Sequence, residues 1–187
     1  MIWILVIVVT LVLLGIFVWS TYNGLIRARN SVDANWSDIT VALKRRADLI
    51  PNLVETVKGY AAHERQVFEN VTEARSQMLT GANQGPAAAA AAEGPMQSAL
   101  RSLFAVAEAY PDLRASENFQ ALQHELSGTE NRIADSREHY NGSVRVFNAK
   151  MQSFPANMIA NNLGFTEREY YEAPDSAAIE QPPTVQF

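Results

Sequence analysis

The sequence contains three histidines, His63, His124 and His139, the residues best suited to metal binding or proton transfer. A helical zinc site needs a second ligand in register, as in the pattern His-Glu-x-x-His. His63-Glu64 and His124-Glu125 begin that pattern, but neither is followed by a second histidine at the required spacing. A di-metal bundle needs Glu-x-x-His on two helices, and no glutamate stands three residues before any histidine. The sequence therefore predicts solvated or hydrogen-bonded histidines, with no metal site and no cofactor.

The patterns of nucleophilic catalysis and of phosphate binding are missing from the sequence. The chain has no cysteine, which excludes disulfides, thiolate zinc sites and thiol catalysis. It lacks the Gly-x-Ser-x-Gly pattern of serine hydrolases, and residues 81–85 lack the Gly-Lys-Ser/Thr ending of a phosphate-binding loop. Lys44-Arg45-Arg46 is a small basic cluster, but Asp48 follows it and the formal net charge is −5. We therefore predict that the protein is not an enzyme and does not bind nucleic acid.

Four charged residues stand on or beside the apolar stripes of the predicted helices: Arg46, Glu64, Glu130 and Arg132. A charge at such a position is costly unless it is paired. The structural interpretation is that Arg46 or Arg132 pairs with Glu64 or Glu130 across a helical bundle and fixes the helix register. The functional alternative is a polar pocket that recognises a partner.

Two long stripes of apolar residues at seven-residue spacing predict the elements that position these charges. The first stripe consists of Trp36, Leu43, Ile50, Val57, Val71 and Met78. The second consists of Phe119, Leu126, Ile133, Tyr140, Phe147 and Phe154, and Val144 and Met151 widen it. Helices with such stripes cannot bury them alone, so an elongated antiparallel bundle with coiled-coil-type packing is expected. The spacing keeps the same frame on both sides of Pro51, which predicts a kink in a nearly continuous helix.

Glycine, proline and serine residues divide the rest of the chain. Residues 81–95 combine Gly and Pro with a run of alanines and predict a connector, followed by a short helix from Met96 to Tyr110. Ser116 is a good N-cap for the long third helix. Pro155 and Gly164 bracket a short fourth helix over 156–163. Residues 173–187 are acidic and rich in proline, which predicts a flexible tail whose last residues, 184–187, could latch onto a neighbouring surface.

The N-terminal segment predicts a membrane anchor over residues 1–22. Ile2 to Trp19 is almost entirely apolar and would span roughly 27 Å as a helix, close to the thickness of a bilayer's hydrocarbon. A cleaved signal peptide is the alternative, but the basic start and the small-residue cleavage site are missing. Arg27 and Arg29 follow the apolar run, so the positive-inside rule places the N-terminus outside and the main domain in the cytoplasm. The predicted fold is therefore all-α, with a transmembrane helix continuing into the bundle domain, residues 23–172.

Several strings of this sequence resemble the LemA family. They include LKRRADLIPNLVETVKGYAAHE (43–64), YPDLRASENF (110–119), TENRIADSREHYN (129–141) and FPANMIANNLGF (154–165). The resemblance runs in order from Tyr22 to Glu172 and leaves out the alanine-rich segment and the tail. It implies an N-terminal membrane helix in a bacterial inner membrane, a domain of long helices, and no agreed catalytic activity. Some members of the family are associated with internal membrane organelles, and others are encoded near membrane proteases.

Two functions are compatible with these features. The first is a self-assembling scaffold that contacts lipid through residues 2–19, forms homo-oligomers and organises or shapes the membrane. Its motivation is that the first helix is far longer than the second, which would leave Tyr60, Phe68, Phe104 and Phe147 uncovered. The alternative is an adaptor that links a client to a membrane protease or a signalling complex, with another membrane protein as partner. An enzyme would require an unexpected cluster of titratable groups in a concave pocket.

Overall fold

The computed structural model describes residues 1–172, and within that range the secondary structure is entirely helical. The helices are α1 Ile2–Lys58, α2 Arg65–Gln84, α3 Pro86–Glu108, α4 Pro111–Arg114, α5 Glu117–Gln152 and α6 Ala156–Asn162. The predicted all-α bundle is therefore confirmed. The predicted tail, 173–187, and its proposed latch at 184–187 lie outside the described residues.

Helix α1 is uninterrupted for 57 residues, a length of about 85 Å. It contains an 18-residue window with a mean hydropathy of 3.0, and none of the residues in that window is buried by the rest of the chain. The next residues along the same helix are buried repeatedly, beginning with Leu25, Ala28 and Val32. The same helix therefore has two parts in different environments. Its apolar start is not covered by the protein, and its continuation contributes to the core of the bundle.

Helix α5 packs antiparallel to α1 along most of its length. Close to the anchor, the Lys150 ammonium donates to the Gly24 carbonyl at 3.4 Å. Near the other end, Arg45 pairs with Glu125 at 3.1 Å. The later residue of α5 contacts the earlier residue of α1, so the two helices run antiparallel. Together the two contacts define the register of the pair.

Most residues of the two predicted stripes are buried in the core of the bundle. Buried stripe members are Leu43, Ile50, Val57, Val71, Met78, Phe119, Leu126, Ile133, Tyr140 and Phe147, with Val144 and Met151 beside them. Trp36 is partly buried and packs against Tyr140, with ring centroids 5.7 Å apart. Phe154 was predicted wrongly, because its side chain is 80% exposed. Helix α5 ends at Gln152, so Phe154 no longer follows the helical period that the stripe assumed.

The first stripe crosses a reversal of the chain that its spacing does not reveal. Helix α1 ends at Lys58 and α2 begins at Arg65, so the two parts of the stripe belong to antiparallel helices. Val71 and Met78 on α2 remain completely buried, which is why the apolar spacing continues through the turn. Glu64, the charged residue that interrupts the stripe, is the N-cap residue immediately before α2.

Helix α1 continues through Pro51, as the unchanged frame predicted. Proline has no N–H, so it cannot donate to the carbonyl four residues earlier, at Ala47. That carbonyl accepts a hydrogen bond from Arg75 Nε of α2 at 2.7 Å. A side chain of the second helix thus satisfies the backbone group that the proline leaves without its usual partner, and it ties α2 to α1 at this level.

The predicted connector over 81–95 is wrong, because almost all of it is helical. Helix α2 runs on to Gln84, the chain turns at Gly85 with φ +119°, and α3 begins at Pro86. Alanine is the best helix former, and proline is well tolerated in the first turn of a helix. A Cβ at Gly81 would lie 2.7 Å from the Ala88 carbonyl oxygen, so small residues let α2 and α3 approach closely. The alanine run is a packing surface instead of a linker.

Candidate functional site

The structure pairs two of the four charged residues singled out in the sequence. Arg46 Nη2 lies 2.8 Å from Glu130 Oε2, which joins α1 to α5. The Arg46 side chain is only 6% exposed, whereas that of Glu130 is 51% exposed. Glu64 lies instead at the start of α2, and Arg132 is exposed on α5. Because the cation is buried and its partner reaches water, the pair holds the register of two helices without enclosing both charges.

A second polar centre lies at Glu93 of α3, which the sequence reasoning missed. Glu93 Oε1 accepts a hydrogen bond from the Tyr171 hydroxyl at 3.0 Å, and Arg137 Nη1 lies 3.7 Å from Glu93 Oε2. Burial raises the pKa of Glu93 above its ordinary value, and the Tyr171 hydrogen bond and the Arg137 charge offset part of that rise. Burial likewise raises the pKa of Tyr171, so its hydroxyl keeps its proton and acts as a donor. The sequence did offer a signal, a single carboxylate at the end of a run of alanines. It was missed because residues 81–95 were predicted to be a connector.

Tyr171 belongs to a segment without helix or strand, residues 165–172, which we call the C-terminal strap. Two asparagines of α5 hold the strap. The side-chain amide of each both donates to and accepts from the backbone of one strap residue, as a neighbouring β-strand would. Asn148 donates to the Arg168 carbonyl and accepts from the Arg168 N–H, both at 2.9 Å. Asn141 does the same with Tyr171, at 3.0 and 2.8 Å. Seven helical residues rise about 10.5 Å, and three residues of chain cover about 10 Å only when they are extended, so the strap is extended between Arg168 and Tyr171.

Side chains on both sides of the strap fasten it between α1 and α5. The Tyr140 hydroxyl donates to the Glu169 carbonyl at 2.9 Å, and burial raises the pKa of Tyr140 to about 12. Arg168 Nη2 lies 2.8 Å from Asp33 Oδ1 of α1. Tyr171 is almost fully buried, with its ring 6.3 Å from that of Trp36. The strap therefore covers part of α1 that a helix would cover in a regular bundle.

The bundle leaves less apolar surface exposed than the sequence led us to expect. Of the four aromatic residues expected to remain uncovered, only Tyr60 is exposed, at 47%. Phe68 and Phe147 are buried, and Phe104 is partly buried with its ring 6.2 Å from that of Phe119. The expectation was wrong for these three because α2, α3 and the strap cover the stripe within a single chain.

An open groove of about 500 Å³ lies beside the Arg46–Glu130 pair. Its apolar lining comes from Leu100, Phe104 and Leu126 of α3 and α5. Its charged lining comes from Arg46, Arg101, Glu108 and Glu130. The three histidines are exposed, with His63 in the turn before α2 and the other two on α5. Within residues 1–172 no three metal-binding side chains converge. The arrangement can hold helices in register and offer a mixed apolar and charged surface to another molecule.

An uncovered apolar helix that continues into a helical bundle defines a membrane protein with an all-helical domain. The comparison with known families gives it a more specific place. The chain belongs to the LemA family, whose sequence model matches residues 35–187.

Individual relatives are distant but cover most of the chain. It is 26% identical to the magnetosome protein MamQ 2 of Paramagnetospirillum magneticum, in an alignment 175 residues long that covers 81% of this chain. It is 25% identical to the magnetosome protein MamQ of Magnetospirillum gryphiswaldense over 80% of the chain. The chain spans 64% of the length of each of these two proteins. It is also 26% identical to protein LemA of Metamycoplasma hominis, over 84% of this chain and 72% of that protein.

Proposed function

We propose that the protein is a non-catalytic scaffold, anchored in a bacterial inner membrane by a single helix, which self-associates and organises the membrane around it. The observation that carries the proposal is the continuity of α1, which leads from the apolar run into the bundle core without a break. A helix transmits tilt and rotation along its axis, so the bundle is coupled rigidly to the anchor. Assembly of the bundles would then impose an arrangement on the anchors.

The charges near the end of the anchor support a cytoplasmic bundle. Arg27 and Arg29 follow the apolar run along the sequence. The structure brings a third cation to this level, because Lys150 of α5 reaches the Gly24 carbonyl. Each basic residue near an anionic surface contributes about 1 kcal/mol, and basic residues favour the cytoplasmic side of the membrane.

The relatives support a role tied to a membrane compartment. Those from Paramagnetospirillum magneticum and Magnetospirillum gryphiswaldense are named magnetosome proteins, and none of these names denotes an enzyme. The core stripes are covered within one chain, so contacts between copies must use the outer surface. Exposed apolar residues of the bundle, such as Tyr60 and Val146, are available for such contacts.

Breaking the continuity of α1 tests the proposal. Asn23→Pro would remove a backbone donor between anchor and bundle, whereas Asn23→Ala would keep the helix and serves as the matched control. The full chain would be reconstituted in lipid vesicles and imaged by electron microscopy, with sedimentation in detergent alongside. We expect ordered assemblies from the wild type and Asn23→Ala, and their loss in Asn23→Pro with an unchanged melting temperature of the bundle. A wild type that remains monomeric and randomly distributed at all concentrations would contradict the proposal.

The groove beside Arg46 and Glu130 favours a second function, that of an adaptor. It joins apolar side chains to two positive and two negative ones, which is a surface suited to one helix or loop of a client protein. A photo-crosslinking residue in place of Phe104 would capture such a client in cells, with the same residue at Val41 as the control. Reproducible capture of one defined polypeptide at position 104, in the absence of homo-assembly, would favour the adaptor over the scaffold.

A further inference from the structure

The corner after α5 exposes large apolar side chains at an unusual density. Phe154 is 80% exposed, Met158 is 62% exposed and Leu163 is 50% exposed, all within ten residues. In the rest of the described bundle, exposed aliphatic side chains stand singly, as Val41 and Val146 do. We call residues 154–163 the α6 corner.

Helix α6 covers its apolar residues incompletely: Ile159 is only partly buried, and Met158 is exposed. It buries the small Ala160 completely against the bundle. The much larger Met158 points outward, as does Leu163 just after the helix. Burying a larger apolar side chain gains more than burying a small one, so leaving Met158 and Leu163 exposed is unfavourable for a surface that faces water. The outward face is suited to an apolar environment.

The position of the α6 corner indicates what that environment is. Leu163 shares an apolar cleft with Leu11, Leu14, Val18 and Trp19 of the anchor. Leu14 precedes Trp19 by five residues, which places it about 7.5 Å inside the apolar run. The corner therefore lies beside the last turns of the anchor, at the level where the anchor leaves the membrane.

We infer that the α6 corner is a second membrane contact, inserted into the interface of the bilayer on the bundle's side. The inference rests on the proposed function, in which residues 2–19 span the bilayer. That run is about 27 Å long, slightly less than the roughly 30 Å of hydrocarbon, so its last turns cannot be lifted into water to release the corner.

The surrounding charges fit an interface with lipid headgroups. Arg27 is exposed, and Lys150 Nζ lies 3.4 Å from the Gly24 carbonyl oxygen, close to the same level. An apolar surface flanked by cations is the pattern of segments that lie in a membrane interface and favour anionic lipids. The corner and the anchor together give the bundle two points of attachment, which fix its tilt and its rotation relative to the bilayer.

Because the chain has no cysteine, single cysteines can report the environment of chosen positions without other changes. Met158→Cys in the corner and Val41→Cys on the bundle form a matched pair, since both native side chains are 62% exposed. Val9→Cys reports the anchor itself. Each full-length variant would carry an environment-sensitive NBD fluorophore in vesicles of phosphatidylethanolamine and phosphatidylglycerol. Quenching by nitroxide-labelled lipid would be compared with quenching by aqueous iodide.

We expect a blue-shifted NBD emission at position 158, with strong quenching by the lipid nitroxide and loss of quenching by iodide. Position 41 should show the reverse, and position 9 should be quenched by the lipid nitroxide alone. Iodide quenching at position 158 equal to that at 41 would overturn the inference while leaving the anchor intact. Weak quenching by both agents at 158 would show that a second copy covers the corner and would also overturn it. Iodide quenching at position 9 would contradict the proposed function itself.

Discussion

The two ends of the bundle are built differently, although α1 and α5 run through both. Far from the anchor, α2 and α3 pack onto these helices, and buried side chains such as Ile50, Val57 and Leu103 fill the space between them. Near the anchor, α1 from Tyr22 to Trp36 is covered by α5 and by the strap, which has no helical hydrogen bonds of its own.

The difference shows what replaces a helix when a bundle lacks one. In the distal part, apolar area and close helix approach supply the stability. In the proximal part, the strap's backbone groups need partners, and two asparagine amides, a tyrosine hydroxyl and an ion pair supply them. Packing at the distal end should therefore tolerate changes of polarity poorly, whereas the proximal end should depend on a few specific contacts.

The largest effect is expected from removing the side chain of Tyr171, which is the buried residue of the strap. Tyr171→Ala deletes a fully buried aromatic ring together with its hydrogen bond to Glu93, and we expect a loss of about 3–5 kcal/mol in the free energy of unfolding. Chemical denaturation of the detergent-solubilised full chain, followed by circular dichroism, measures it. Tyr171→Phe keeps the ring and should cost only about 1 kcal/mol. Equal losses in the two variants would show that the ring itself contributes little.

The next effect concerns the carbonyl left free by Pro51. Arg75→Met keeps the aliphatic stem but removes the hydrogen bond to Ala47, and should cost about 1.5–3 kcal/mol. In a Pro51→Ala background the Ala47 carbonyl regains its N–H donor, so the same arginine substitution should cost less. Denaturation of the four combinations gives the coupling as a double-mutant cycle. Strict additivity would mean that Arg75 acts independently of the proline.

A smaller effect is expected where α2 and α3 touch. Gly81→Ala places a Cβ 2.7 Å from the Ala88 carbonyl oxygen, a backbone atom that cannot rotate away. We expect a destabilisation of about 1–3 kcal/mol, measured by thermal denaturation. Gly128→Ala is the matched control, because its Cβ would meet nothing within 4 Å, and it should stabilise α5 by up to about 1 kcal/mol. Stabilisation by both substitutions would refute the close approach of α2 and α3.

The smallest effect is a pH dependence at the junction of the two ends. The folded-state pKa of Glu93 is raised by burial, so the folded protein keeps this proton to a higher pH than the unfolded chain. The resulting stabilisation is fully present below the ordinary pKa of 4.5 and is lost as pH rises through the folded value. Glu93→Gln should therefore gain stability relative to the wild type between pH 4 and 7. Melting curves across that range measure it, and parallel curves would contradict the assignment.

The repeating parts of the fold were predictable from the sequence, and the parts that depend on single distant contacts were not. Leu43, Leu126 and Ile133 follow a seven-residue period that requires only helices of some length and a neighbour. The reversal between Lys58 and Arg65 was not predictable from that period, because α2 buries its stripe against the same core.

The site illustrates the same limit. The sequence allowed four pairings of Arg46 or Arg132 with Glu64 or Glu130, and the pair that forms, Arg46 with Glu130, was one of them. The roles of Glu93, Asn141 and Asn148 depend on a strap that arrives from twenty or more residues later in the chain. An asparagine on a helix carries no sign of whether it faces water or binds a backbone. The connector error followed from treating glycine and proline as breaks where they permit close packing.

The distance between Asn141 and Asn148 on α5 matches the distance between Arg168 and Tyr171 in the strap. Seven residues of helix and three of extended chain both cover about 10 Å. An inserted residue between Arg168 and Tyr171 would reverse the direction of every following side chain and turn the tyrosine ring out to water. Insertions before Arg168 could instead be absorbed by the turn after α6. We therefore expect length variation among homologous chains on the N-terminal side of this short interval, and none inside it.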